Sequence, residues 1–423
     1  MNAPFSQLGN AYSRFAVFIF CAVSLVIPSG YSIGAALILL GGLFCLIRHP
    51  SLRHQLQPDD YWLFAIFLFF GLVGIISALY HGGSSRLFDK PARFILAPLG
   101  LFLLLRAKDL LPAWWAGAAI GGWTTGLWAI QQKITHEVER ATGYTYVIQY
   151  GNLSMLLGLW CIAGIMWARQ RHQYRRAWLL LMSTGAIMGI VGSLLSGSRG
   201  GWVGIPLVLL VFYRAYADQL RKKTQALIAL ALLVAAVGVY LAPGLNVQQR
   251  IHEIYTDIQT YIVQSNPHTS LGARFEMWQG AVELIKQRPL TGWGETGYTP
   301  ALEQVVQAGT VHDIVLRFGH PHNEILNHLT KHGVIGLLSL LLLYALPFKL
   351  FGRGLQHPDL SQRAVAVAGV LLAVTYIDFG LSQAFLSHNS GIMFYAFGCV
   401  IIWGMYRKHN AQSDQAQAQV AQT

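Results

Sequence analysis

The 423-residue chain is 54% hydrophobic and only 11% charged, with a mean hydropathy of +0.44, whereas soluble domains carry about 25% charged residues. That balance excludes a soluble globular protein and a disordered one, because the apolar residues fall into runs of roughly 20, the length that crosses a bilayer as a helix. A formal net charge of +12 would suit nucleic acid in a soluble protein, but here the cations cluster in short loops, where they set membrane orientation, and no nucleic-acid partner is expected.

In chain order the apolar runs occupy 15–30, 32–47, 61–80, 92–105, 110–130, 148–168, 177–195, 201–217, 225–242, 324–350, 364–386 and 390–406. They predict an all-α, polytopic transmembrane helical bundle of about twelve spans, the short runs 32–47 and 92–105 being tilted, re-entrant or paired into hairpins. The first run has no small-residue cleavage site after it and reads as a retained span. With the N-terminus inside, 18 of the 30 Lys and Arg, among them Arg169, Arg176, Arg214, Lys223, Lys349 and Arg407, fall in loops on one side, which makes both termini cytoplasmic. The chain then divides into spans over 1–242, a large partly helical periplasmic loop over 243–322, further spans over 323–406, and a polar, disordered cytoplasmic tail over 407–423. Cys21, Cys45, Cys161 and Cys399 all lie inside apolar runs, so they read as packing residues rather than disulfides.

Three constellations on the outer side carry chemistry. Ser196-Gly197-Ser198-Arg199-Gly200-Gly201 is a glycine-rich turn whose backbone N–H groups and embedded guanidinium suit an anion, the alternative being a tight turn with Arg199 reaching into headgroups. Inside the loop, Ser270 can cap an amphipathic helix with Arg274, Trp278, Ala281 and Ile285 on one face, ended by Arg288-Pro289 and a glycine-punctuated turn through Gly292 and Gly294. Arg274 is there either a ligand for an anion or an ordinary solvated charge. The third is the re-entry, His320-Pro321-His322-Asn323, followed by Gly333 and Gly336. Pro321 suits a first helical turn, which would put His322 at the positive end of the dipole in its neutral, base-competent form. His322, Leu329, Gly333 and Gly336 share a stripe, and the two glycines would let a neighbouring helix dock closely. His320, His322, His328 and His332 are crowded together, but there is neither an H-E-x-x-H sequence nor a nearby Cys, and no Asp-x-Asp pair for a divalent ion on a nucleotide sugar; metal-free chemistry is expected, with no cofactor.

In this order, on either side of one large external loop, these motifs resemble the O-antigen ligase and polymerase superfamily (the WaaL/Wzy_C group) of bacterial membrane glycosyltransferases. The resemblance rests on the 196–201 turn, on Arg274 with Trp278 and the Pro289-Leu290-x-Gly292-x-Gly294 run, and on His322-Asn323 with Gly333 beyond, and covers about 150–350. One long external loop, with only a short one near 131–147, is more similar to the ligases than to the polymerases.

The resemblance implies transfer of O-antigen polysaccharide from undecaprenyl diphosphate to lipid A-core oligosaccharide during lipopolysaccharide assembly, in the inner membrane of a Gram-negative bacterium with the site on the periplasmic side. It implies His322 as general base for the attacking hydroxyl, Arg199 and Arg274 on the leaving diphosphate, and inversion at the anomeric carbon. Ser198, Asn323, Gly333, Arg288 and Arg317 are expected in supporting roles, with Arg288, Arg317 and Lys331 as cations for acceptor phosphates. Tyr255, Tyr261, Trp278, Trp293 and Tyr298 either stack on sugars or form an interfacial aromatic belt. A polymerase or protein O-oligosaccharyltransferase of the same group remains an alternative, as does a transporter of polyprenyl-linked glycans. Against the transporter, neither the glycine-arginine turn nor the His-Asn re-entry has a second copy in the chain.

Overall fold

The computed structural model describes residues 6–198, 200–242, 247–264 and 266–420; Arg199 therefore lies outside the described residues. The described chain is helical, without strands, in the order α1 (Gln7–Ala22), α2 (Gly30–Arg48), α3 (Pro58–Tyr80), α4 (Asp89–Leu96), α5 (Leu101–Arg106), α6 (Leu111–Thr135), α7 (Val147–Gln170), α8 (Arg175–Ser196), α9 (Ile205–Tyr216), α10 (Lys222–Leu241), α11 (Val247–Gln264), α12 (Ser270–Gln287), α13 (Gly294–Gln307), α14 (Glu324–Phe351), α15 (Leu360–Ser382) and α16 (Asn389–Val420). Among the described residues, eight of these are long and apolar enough to cross a membrane: α2, α3, α7, α8, α10, α14, α15 and α16. The protein is an all-α, multi-pass membrane protein.

Of the remaining apolar runs, 110–130 is the continuous helix α6, while local sequence breaks or shortens 92–105 and 201–217. Run 92–105 contains Pro98, which cannot donate a ladder hydrogen bond, and the chain passes through a 3-10 turn at Ala97–Gly100 between α4 and α5. Run 201–217 becomes helical only at Ile205, with Pro206 in its first turn. α3 starts where Pro58 and a reciprocal Gln57–Asp60 capping box satisfy the first free N–H groups.

α7, α15 and the apolar part of α16 are buried along most of their length and form the centre of the bundle. α6 and α8 close on each other through small residues. A Cβ at Gly122 would stand 2.4 Å from the Gly185 carbonyl oxygen, so only glycine permits that approach. α10 is the opposite case: it is apolar, yet none of its residues is buried by protein, as suits a helix covered by lipid tails. The four cysteines are free and buried.

The 243–322 segment has a small core of its own. Met277 and Leu284 of α12 pack with Tyr298 and Leu302 of α13 and with Val315 on the 3-10 turn Asp313–Arg317. This lobe sits on the end of the bundle where α3 finishes, since Thr296 Oγ1 donates to the His81 carbonyl at 3.0 Å. α16 continues as helical backbone through the polar C-terminal stretch to Val420.

Candidate functional site

The site is assembled from the flank of α12, the turn after it and the entry to α14. α12 is capped by Thr269, whose Oγ1 accepts from the Gly272 N–H at 3.0 Å; the cap stands one residue before the expected Ser270. The most buried stripe of α12 is Ala273, Met277, Ala281 and Leu284, turned into the lobe core. Arg274 and Trp278 lie on the neighbouring flank, half-buried, because that side of the helix meets the α14 entry instead. Trp278 Nε1–H donates to the Pro321 carbonyl at 3.0 Å, which pins the residue before His322.

His322 is not in the first turn of α14. Asn323 is the N-cap, its Oδ1 accepting from Leu326 N–H at 3.0 Å, and its Nδ2 donates to the Leu381 carbonyl at 3.4 Å. His322 precedes the cap with φ +50, a left-handed conformation that costs a side-chain-bearing residue roughly 1–2 kcal/mol and is held only where surroundings over-determine it. Pro321 thus serves the turn rather than the helix.

The neutral form of His322 has burial rather than a helix dipole as its main cause. Burial first, and then the nearby Arg274 guanidinium, push its pKa down to about 4, so the ring is neutral near pH 7. Its Nδ1 is buried without a hydrogen-bond partner. Burial also pulls the Arg274 pKa down from its usual value. Among the described residues the Arg274 guanidinium has no hydrogen-bond or ion-pair partner.

Two further imidazoles adjoin His322. The His322 N–H donates to His320 Nδ1 at 3.3 Å, the two rings stand 4.5 Å apart, and the His388 ring, from the α15–α16 connection, is 5.9 Å from His320. Burial, followed by His322, lowers His320 to about 3, and burial, followed by Lys90, lowers His388 to about 4. Sequence reading missed His388, which stands far from His322 in the chain with no motif around it.

Gly333 has φ +64 and ψ −161 and kinks α14. The kink receives the turn after α12 rather than a neighbouring helix: Val334 N–H donates to the Pro289 carbonyl at 2.9 Å, and Trp293 N–H to the Thr330 carbonyl at 2.9 Å. A Cβ at Gly333 would stand 2.1 Å from the Leu290 carbonyl oxygen. Gly333 is therefore a docking notch for the loop, whereas Gly336 abuts His332 and the His328 carbonyl of its own helix.

The remaining expected residues divide clearly. Ser198 is buried, its Oγ donating to Asn152 Oδ1 at 3.1 Å, which makes it a packing contact of the turn. The turn itself reaches the same end of the bundle, since Gly200 abuts Ser382, the residue after the Leu381 carbonyl that Asn323 holds. Close by, Asp378 faces Gly204 and keeps Oδ1 buried without a partner, a carboxylate that its apolar run concealed in the sequence. Lys331 is not available to an acceptor: it is buried and paired with Glu295 at 2.7 Å. Arg288 lies 4.0 Å over the Trp293 ring, and Arg317 is exposed on its 3-10 turn. Of the aromatics, Trp278, Trp293 and Tyr298 are packed into the lobe, Tyr261 donates to Glu276, and Tyr255 is exposed. Among the described residues no group of three His, Cys, Asp or Glu has a metal-holding arrangement.

A neutral imidazole with a free ring nitrogen, beside a guanidinium with no acid of its own, can take a proton from a hydroxyl while an anion occupies the guanidinium. Residues 184–341, a stretch that includes Arg274, His322 and Gly333, match the family model described as O-antigen ligase. An uncharacterised protein of Haemophilus influenzae is 30% identical over 392 residues, 91% of this chain and 96% of that one. The O-antigen ligase of Escherichia coli K12 is 25% identical over 258 residues, covering 60% of this chain and 55% of its own length. That of Pseudomonas aeruginosa is 29% identical over 207 residues, covering 48% of this chain and 41% of its own length. With the motif order, the helical membrane architecture and these matches in agreement, residues 184–341 form an O-antigen ligase family domain within the chain.

Proposed function

We propose that the protein is an O-antigen ligase: it transfers O-antigen glycan from undecaprenyl diphosphate to lipid A-core oligosaccharide, in the inner membrane, with its site on the periplasmic side. The observation that carries the reading is an unpaired Arg274 guanidinium near enough for its charge to act on the neutral His322 ring, whose Nδ1 has no hydrogen-bond partner. In the transition state the departing diphosphate gains negative charge, which a fixed guanidinium stabilises more than it stabilises the bound donor. Arg274 supplies that charge, and Arg199, on the turn that reaches the same end, supplies a second. His322 removes the acceptor proton through Nδ1, and direct attack inverts the anomeric configuration. Asn323 fixes the start of α14 and Gly333 seats the loop, so both act by placing His322.

The short connection between α6 and α7 supports ligase over polymerase, because a single large external lobe remains. Both termini lie on the cytoplasmic side in this reading. The test is ligation by the purified protein with a defined undecaprenyl diphosphate glycan, comparing lipid A-core with a pilin-like peptide as acceptor, using wild type and His322→Ala. Product on lipid A-core alone, lost in the variant, supports the reading; product on the peptide alone, or transport of donor without any product, overturns it. Excess chelator should leave the wild-type rate unchanged. Inhibition reversed by added Zn²⁺ or Mg²⁺ would remove the metal-free mechanism.

A further inference from the structure

A second polar cavity lies beside the His322 site, with a volume of about 230 Å³, between α3, α4, α14 and the start of α16. Its floor is apolar, with Phe70, Phe94 and Ile392, and its polar rim includes Arg86, Lys90 and Asn327. The cations in and around this cavity separate into two kinds. Lys331 has already taken Glu295, the carboxylate that lines the cavity, at 2.7 Å, and Arg93 is paired with Asp89 at 2.5 Å. Arg86 and Lys90 are exposed and, among the described residues, make no hydrogen bond or ion pair. The histidines beside them are engaged, His332 Nδ1 with Ser77 Oγ at 2.8 Å and His328 Nδ1 with the Glu324 carbonyl at 3.1 Å. Internal pairing thus leaves two positive charges over an apolar floor, an arrangement complementary to an anionic amphiphile.

The cavity also has the right neighbour. Ser387 forms part of its wall, and the next residue, His388, feels the charges of both Lys90 and His322. A headgroup whose phosphate rests on Lys90 would therefore lie against Ser387, next in the chain to His388 of the imidazole cluster.

We propose that this cavity seats the phosphate-bearing headgroup of the acceptor glycolipid, held by Arg86 and Lys90. The assignment deepens the ligase reading and rests on it for the identity of the acceptor. It replaces Lys331, whose charge is spent inside the protein, as the cation that meets acceptor phosphate.

The test uses the full-length His322→Ala protein in nanodiscs, so that binding is read without turnover. Lipid A-core with and without its phosphates is titrated against this protein and against the same protein carrying Arg86→Gln and Lys90→Gln. Losing charge-assisted contacts should raise Kd for the phosphorylated acceptor by about 10- to 100-fold and leave the dephosphorylated one unchanged, with Lys90→Arg retaining most of the affinity. Equal affinity in both proteins, or equal loss for both acceptors, overturns the proposal. So does a loss seen only when the nanodisc contains phosphatidylglycerol, which would assign the cavity to bilayer phospholipid. Ligation by the wild-type protein, with His322, Arg86 and Lys90 all intact, is measured in parallel. If it fails while the phosphate-dependent binding holds, the ligase reading falls and the cavity assignment stands; if it proceeds without that binding pattern, the reverse is true.

Discussion

Asp60 and Arg407 meet inside the bundle at the end opposite the lobe, and Trp403 Nε1–H donates to the same carboxylate at 2.8 Å. Arg363 is closed in the same manner by Asp218 at 2.8 Å and by the Ala215 carbonyl at 2.7 Å. The lobe end is built differently, with the Arg274 guanidinium unpaired, His322 Nδ1 and Asp378 Oδ1 buried without partners, and His322 in a left-handed conformation. Unmet polar groups and backbone strain cost stability wherever they occur. Lys331 is paired with Glu295 even at the lobe end, so the open groups are confined to the surroundings of His322, and strain with free charge in one place is the pattern that marks a candidate site.

The widest separation between the two ends should come from His322→Ala. Removing the proton acceptor should lower kcat by about 10²- to 10⁴-fold, with donor binding intact and thermal stability little changed. The pH profile sharpens the assignment. Because the folded ring has its pKa lowered to about 4, the base form persists well below neutrality. The wild-type kcat/KM should stay flat as pH falls from 7 and decline only through about 4. A decline already complete near pH 6 would mean that His322 is not the base, or that its ring is not buried as described.

At the opposite end, Asp60→Asn should behave in the contrary sense. It leaves the buried Arg407 charge uncompensated, a change that typically costs about 3–5 kcal/mol. Thermal unfolding in detergent should shift down markedly while turnover per folded molecule is kept. A loss of activity without a loss of stability would erase the functional distinction between the two ends.

Arg274→Ala should weaken donor binding and turnover together, by about 10- to 100-fold each for a charge-assisted contact. Arg274→Lys should restore only part, because an ammonium lacks the planar fork. Arg274→Ala also removes one of the two causes that depress His322. Its acid limb should therefore move above 4, short of the ordinary histidine value because burial, the larger cause, persists. Weakened binding with an unmoved limb would separate Arg274 from His322.

Much of this layout was legible in the sequence because hydropathy and motif order are written locally. Apolar runs locate spans, Arg288-Pro289 stops α12, and His322-Asn323 marks the re-entry. What escaped reading depends on contacts between distant segments. Thr269 and Ser270 are both able to cap, and the sequence alone does not tell which of them accepts the Gly272 N–H, as Thr269 does. Gly333 looks like a small residue for helix packing until the Pro289–Trp293 turn is placed in its notch. Lys331 looks like a free external cation until Glu295, from a different helix, reaches it. His388 and Asp378 carry no local signature at all, since one sits in a short connection and the other in an apolar run.

The smallest effect that still tests the comparison belongs to Trp278→Phe. The ring volume is largely kept, but the Nε1–H bond to the Pro321 carbonyl is lost, a change worth about 1 kcal/mol. Trp278 does not touch the proton acceptor itself; it holds the turn that presents it. Loosening that turn should lower kcat several-fold while donor Kd stays put, and the acid limb should creep upward as water reaches the His322 ring. A merely structural tryptophan would lower stability and leave both the limb and the ratio of kcat to donor affinity unchanged. The direction of the limb therefore decides whether α12 serves only to carry Arg274 or also keeps the imidazole dry.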